Sequence, residues 1–194
     1  MNRKIPVSLT DINRKTRNRT VNYETVGYFD KNMKFVQTGV SQMNQAVGRM
    51  YVNFPSNNGK SYGMLWHTHP HNAGFWPSIE DLYHGGYFGT HPVNVLFTRY
   101  GAWIYKGFKS KPNNDQKYNI QLIWNKFHSF MLTVYVDTHL EGIKKQINKF
   151  LSSMKETGYH IEFVEHFNSS EYNNDEYTQK LHNKISKTLN NKNI

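Results

Sequence analysis

The run LWHTHPHNAGFWPSIEDLY, residues 65–83, constrains the fold more than any other stretch of the chain. The apolar residues ahead of it, in SYGMLWHTH, read as a strand, and Pro70 ends that strand and turns the chain. Ser78 followed three residues later by Asp81 then marks the start of a short helix. Side chains alternate across a strand, so His67 and His69 project together while Thr68 faces the other way. Two imidazoles at that spacing fit adjacent corners of a tetrahedral zinc site.

Composition narrows the chemistry further. A chain of 194 residues fits one domain with an appended subdomain and buries enough surface to need no staple. It has no cysteine, which excludes disulfides, thiolate zinc sites, iron–sulfur clusters and thiol nucleophiles. His, Asp and Glu remain as metal ligands. Asp81, in the first turn of its helix, is placed to return as a third ligand, and three protein ligands leave one corner for water. Zinc would lower the pKa of that water to roughly 7. Ser78 and Asp81 are equally the pattern of a plain helix cap; the joint pattern of HTHP on a strand and Ser-x-x-Asp opening a helix favours a metal. His71 reads as an exposed loop residue, and His84 as a group that hydrogen-bonds a ligand. Phe75 and Trp76 read as packing against the helix or as a substrate-facing aromatic lip.

The remaining pattern predicts a mixed α/β (α+β) domain. A basic arm is expected over residues 1–20, where six cations face Asp11 alone and supply half of the net charge of +10. It reads as a solvated terminus, with an acidic partner or nucleic acid as the functional alternative. Ser8 and Asp11 start a short helix within it. ETVGYFDKNMKFVQTGV is a hairpin turning at residues 30–32, and GRMYVNF and SYGMLWHTH form another around Asn58-Gly59. PSIEDLYHGGYF is a helix stopped by Gly85-Gly86, and PVNVLFTR and AWIYKG pair around Tyr100-Gly101. KSKPNNDQK marks a boundary near residue 111. Beyond it YNIQLIW and SFMLTVYV read as strands, followed by a helix with its stripe at Leu140, Ile143, Ile147, Phe150, Leu151 and Met154. YHIEFVEHF is a strand, and Tyr177, Leu181, Ile185 and Leu189 stripe a last helix. The expectation is a core over residues 21–111 and a βαβα extension over 112–194 packed on the same sheet. No run suits a signal peptide or a membrane span, so a soluble, cytoplasmic protein without membrane contact is expected.

A hydrolytic site also needs a base. No acid lies between Asp30 and Glu80, so an upstream carboxylate must be Asp11, Glu24 or Asp30. Glu24 opens a strand ahead of Val26 and Tyr28 on its own face, from which it reaches a neighbouring strand. Taken together, Glu24, His67-Thr68-His69-Pro70, Ser78 and Asp81 resemble the JAMM motif of the JAB/MPN+ metalloprotease family, in a divergent bacterial or phage-type form. ETVGYF and NVLFTRYGAWIYKG resemble the family's Glu-bearing strand and the hairpin after its motif helix. The resemblance spans residues 20–107, and the loop 70–77 is one residue longer than the family's usual spacing.

The resemblance implies a cytidine-deaminase-like core, zinc held by His67, His69 and Asp81, Glu24 as general acid/base, and Ser78 stabilising the oxyanion. It implies hydrolysis of a peptide or isopeptide bond in a protein substrate, often beside a ubiquitin-like C-terminus. Two other readings are a non-catalytic JAB/MPN-like interaction module and a different HxH metal hydrolase of the PHP phosphoesterase type. The second would draw on His128, His139, His160 and His166.

Overall fold

In a computed structural model of the chain, the described residues are 5–29, 34–44, 49–51, 64–71, 74–86, 93–108, 110–133, 140–167 and 175–190. Their elements run β1 (Ile5–Val7), α1 (Leu9–Arg17), β2 (Thr25–Phe29), β3 (Phe35–Val40), β4 (Gln42–Asn44), β5 (Arg49–Tyr51) and β6 (Leu65–Thr68). They continue with α2 (Ile79–Gly86), β7 (Asn94–Thr98), β8 (Gly101–Gly107), α3 (Asn114–Thr133), α4 (Leu140–Glu156), β9 (His160–Glu165) and α5 (Asp175–Asn190). Seven strands form one open sheet in the order β1-β3-β2-β6-β7-β8-β9, and β4 and β5 pair separately. Every neighbouring pair is antiparallel except β6 and β7, which are parallel and joined through α2. The architecture is therefore mixed α/β, with a mostly antiparallel sheet.

Alternation along the strands divides the apolar residues between two cores. Trp66, Val95, Phe97, Ile104 and Val164 cluster with Leu9 and Ile12 of α1 and Leu181 and Ile185 of α5. On the other face Leu96, Trp103, Tyr105 and Ile161 cluster with Leu82 of α2, Ile120 and Phe127 of α3, and Ile143, Ile147 and Phe150 of α4. Two glycines let backbones approach closely. A Cβ at Gly27 would meet the Val36 carbonyl and the Trp66 indole, whose Nε1 donates to the Tyr28 carbonyl at 3.1 Å. Gly101 leaves the β7–β8 turn at φ 145°, where a side chain would strike β9.

Two expectations are corrected. YNIQLIW and the start of SFMLTVYV are one helix, α3, so the C-terminal part runs ααβα and not βαβα. Asn113 and Gln116 cap this helix reciprocally, with Gln116 N–H donating to Asn113 Oδ1 at 2.8 Å and Asn113 N–H to Gln116 Oε1 at 3.0 Å. The apolar alternation that suggested a strand breaks down in burial: Ile120 and Phe127 are buried while Tyr118 and Leu122 are exposed, which is helical spacing. The second correction concerns the basic arm. From Ile5 onward it is part of the fold, β1 pairing with β3 and α1 burying Leu9 and Ile12. Ser8 and Asp11 form the expected capping box. Arg14 bonds Asp11, Lys15 bonds Gln37, and Arg17 donates to the His166 carbonyl, so half of its cations are engaged.

The C-terminal part is continuous with the rest, since β9 pairs with β8 and completes the sheet. The turn residues 30–32 and Asn58-Gly59 lie outside the described residues. The expected pairing of GRMYVNF with SYGMLWHTH is also corrected: among the described residues β5 pairs with β4, and β6 with β2 and β7. Among the described residues no helix is long and apolar enough to cross a membrane.

Candidate metal centre

The register of three strands assembles the site. Val26 pairs with His67 across β2 and β6, and His67 pairs with Leu96 of β7. His67 ends up buried, as does His69 one residue beyond the strand, with ring centroids 5.4 Å apart. The His69 N–H donates to the Phe97 carbonyl at 2.9 Å, so the chain keeps its strand course past Thr68 and both imidazoles emerge on one face.

The third side chain comes from α2. Ser78 caps the helix, accepting the Asp81 N–H on its Oγ at 3.0 Å, and Asp81 Oδ2 accepts the Ser78 N–H at 2.7 Å. This reciprocal cap fixes the carboxylate, and Tyr159 pins the helix below by donating its hydroxyl to the Leu82 carbonyl at 2.8 Å. Asp81 Oδ1 lies 3.1 Å from His67 Nε2, and Oδ2 lies 3.3 Å from His69 Nε2. The cap and the cluster thus use the same residue. Ser78 retains its own O–H for donation.

These donors fit a metal ion. The ligand atoms of His67, His69 and Asp81 all lie within 4.8 Å of one another. Ligands about 2.0–2.1 Å from a tetrahedral ion would stand roughly 3.3–3.4 Å apart, close to the separations across Asp81. His69 Nδ1 lies 2.9 Å from the Gly74 carbonyl. That carbonyl can only accept, so Nδ1 donates to it and Nε2 is the ring nitrogen left to face the cluster, the usual backing of a metal-binding His. Among the described residues, this is the one group of three or more such side chains close enough to share an ion.

Glu24 joins the cluster from the position just ahead of β2. Its Oε1 lies 3.9 Å from His69 Nε2. Burial raises the Glu24 pKa, more than His69 and His67 lower it, and Asp81 adds to the rise. For His69 the largest single influence is also burial, which favours the neutral ring. The bond to Asp81, the charges of Asp81 and Glu24, and the Gly74 carbonyl outweigh it and raise the pKa to about 9. Burial works against ionised Asp81 too, yet the two histidines hold its carboxyl well below the usual range.

The loop between the ligands is anchored despite its length. Besides Gly74 on His69, the Phe75 carbonyl accepts Trp103 Nε1 at 2.7 Å and the Pro77 carbonyl accepts Trp124 Nε1 at 3.0 Å. Arg99 Nη1 donates to the His71 carbonyl at 3.3 Å. Of the two readings of Trp76, packing holds and the substrate-facing lip does not: the residue is 3% exposed and packs on Trp103 and Phe150. His84 falls in α2, but its side chain lies outside the described residues, as does His139. His128 stacks on Trp124, His166 stacks on Tyr177, and His160 sits 3.7 Å from Glu162, each in separate surroundings.

Sequence reasoning missed the groups that hold the site in place. The Gly74 carbonyl is a main-chain acceptor and carries no residue signature. The Thr25, Thr68 and Ser41 hydroxyls, which surround the Glu24 main chain, read only as ordinary strand residues. The fold and site thus define a mixed α/β protein in which two histidines and an aspartate that could hold a metal ion stand beside a partly buried glutamate. No protein-family model, no curated protein and no solved structure matches the chain.

Proposed function

We propose that this chain is a zinc-dependent peptidase or isopeptidase of the JAMM type, with a JAB/MPN-like core. The observation that carries the reading is the approach of Glu24 Oε1 to 3.9 Å from His69 Nε2, from the residue ahead of β2 and apart from the elements that bear the donors. A metal-holding or purely structural cluster has no need of a second, partly buried carboxylate at that distance. Zinc held by His67, His69 and Asp81 would supply Lewis-acid polarisation and a water of pKa roughly 7.

The chain's own groups then have distinct tasks. Glu24 takes the proton of the attacking water on Oε1 and returns it to the leaving amine. Its raised pKa suits a group that must hold a proton between those two transfers. Ser78 donates its O–H to the oxygen that gains negative charge as the carbonyl is attacked. The Gly74 carbonyl keeps the His69 ring from turning. The substrate class is a protein or peptide, with a ubiquitin-like C-terminal conjugate as the first to try. An acidic partner is favoured by the net charge of +10.

Metal analysis and one variant test the reading. Purified protein should carry about one zinc per chain. Glu24→Gln should retain that zinc and lose hydrolysis. Absence of zinc, or undiminished cleavage by Glu24→Gln, would overturn the proposal.

A further inference from the structure

Glu24 is held by its main chain, and the groups that hold it lie outside the donor set. Thr68 stands between His67 and His69 in sequence but points to the opposite face, where it is 2% exposed, beside Thr25 at 1%. The Phe29 N–H donates to the Met64 carbonyl, so hydrogen-bonded pairs between β2 and β6 recur every second residue, at Gly27–Trp66 and then at Thr25–Thr68. At that last pair the Thr25 N–H goes to Thr68 Oγ1, at 2.9 Å, and the two hydroxyls lie 3.1 Å apart. The strand pairing itself stops at Val26–His67.

One residue further, the Glu24 N–H donates to Ser41 Oγ at 2.8 Å, and the Ser41 N–H donates to the Glu24 carbonyl at 2.8 Å. Thr68 therefore ties the end of β2 to the strand of the donors, while Ser41 ties Glu24 to the end of β3. A buried threonine satisfied by another threonine would be ordinary packing. Here the bond ends on a main-chain N–H adjoining Glu24, at the junction between base and donors. Thr68 Oγ1, and not a carbonyl, is thus the acceptor where the strand pairing stops, which makes this hydroxyl a link between the strand of the donors and the residue beside Glu24.

We infer that Thr68 is a positioning residue that sets the gap between Glu24 and the His67–His69–Asp81 donors, with Ser41 as its counterpart from β3. The inference rests on the metallopeptidase reading of the same site. Its test uses the full chain loaded with zinc and compares Thr68→Val, which keeps the shape and removes the hydroxyl, with Thr68→Ser, which keeps the hydroxyl. Thr68→Val should retain its zinc, exchange its Thr25 amide proton faster, and lose about 10–100-fold in kcat at unchanged KM, the usual cost of losing an outer partner. Thr68→Ser should restore both. Where Thr68→Val does not fold, Ser41→Ala should likewise retain zinc and lose kcat, with the Glu24 amide proton exchanging faster.

Unchanged amide exchange in Thr68→Val, loss of zinc together with activity, or a fall in kcat that Thr68→Ser does not rescue would each overturn the inference. Zinc content and amide exchange need no substrate, so they decide the role of Thr68 separately from the reaction. A wild-type chain that binds zinc and cleaves nothing overturns the metallopeptidase reading itself.

Discussion

The two faces of the sheet are built on opposite terms. Against α1 and α5 the face is apolar throughout the strand centres, with Trp66, Phe97 and Ile104 touching neither ligand nor base. Against α2, α3 and α4 the same strands carry aromatic residues below and a polar cluster above, where β6 ends in His67 and His69. The aromatic floor is not only packing. Trp103 and Trp124 spend their indole N–H groups on the loop that carries Gly74, and Tyr159 spends its hydroxyl on α2. The α1/α5 face therefore stabilises the sheet mainly by apolar burial, with the Thr25–Thr68 pair and the Trp66 bond to Tyr28 as polar exceptions, and the other converts burial into fixed positions for polar atoms.

Substitutions can break that contrast. Asp81→Ala should have the largest effect, removing a ligand and the charge that balances two buried histidines. Zinc stoichiometry should fall toward zero by metal analysis, a greater loss than the about 10–100-fold of an outer partner. Glu24→Gln should reduce kcat by about 10²–10⁴-fold with zinc retained, the range for loss of a general acid/base. On the opposite face, Phe97→Ala should cost about 3–5 kcal/mol in denaturant unfolding and leave zinc stoichiometry in the folded fraction unchanged. A loss of zinc there would show that the two faces are not separable.

Protons give a subtler test. The His69 pKa is about 9 in the metal-free fold and ordinarily near 6.5, so the bonded proton stabilises the fold. That contribution is complete below pH 6.5 and is lost as pH rises through about 9. The melting temperature of zinc-free protein should fall over this window, and zinc-loaded protein should be spared the fall because the ring then binds the ion. Zinc affinity should correspondingly rise about tenfold per pH unit below that pKa, with one proton released per ion, as calorimetry in buffers of different ionisation enthalpy would measure. Trp124→Phe should have the smallest effect, about 1 kcal/mol for one hydrogen bond to the Pro77 carbonyl, read as a small shift in unfolding midpoint.

How much of this the sequence disclosed depended on distance along the chain. His67, His69, Ser78 and Asp81 were legible because strand alternation and helix capping act within a few residues. Glu24 was legible only by elimination and by its place at the head of a strand. Helix α3 was misread because Tyr118, Ile120, Leu122 and Trp124 mimic a period of two, although Asn113 and Gln116 announce a helix start. The basic arm was misjudged because its partner lies far away, on β3, and the partner of Trp76 on α4 is equally remote, so the sequence left its two readings open. The carbonyl of Gly74 could not be read at all, since every residue has one.

The spacing of the site also bears on its assembly. His67, His69 and Asp81 close a short loop, whereas Glu24 arrives only when β2 pairs with β6 across a long one. Closing the longer loop costs more entropy, which favours the ligand loop forming first. A chain that has made its ligand loop but has not yet docked β2 would hold an ion without a proton acceptor beside it. Under the proposed function, such a nascent or partly unfolded chain would be inert toward its neighbours, its reactivity arriving only with the finished sheet.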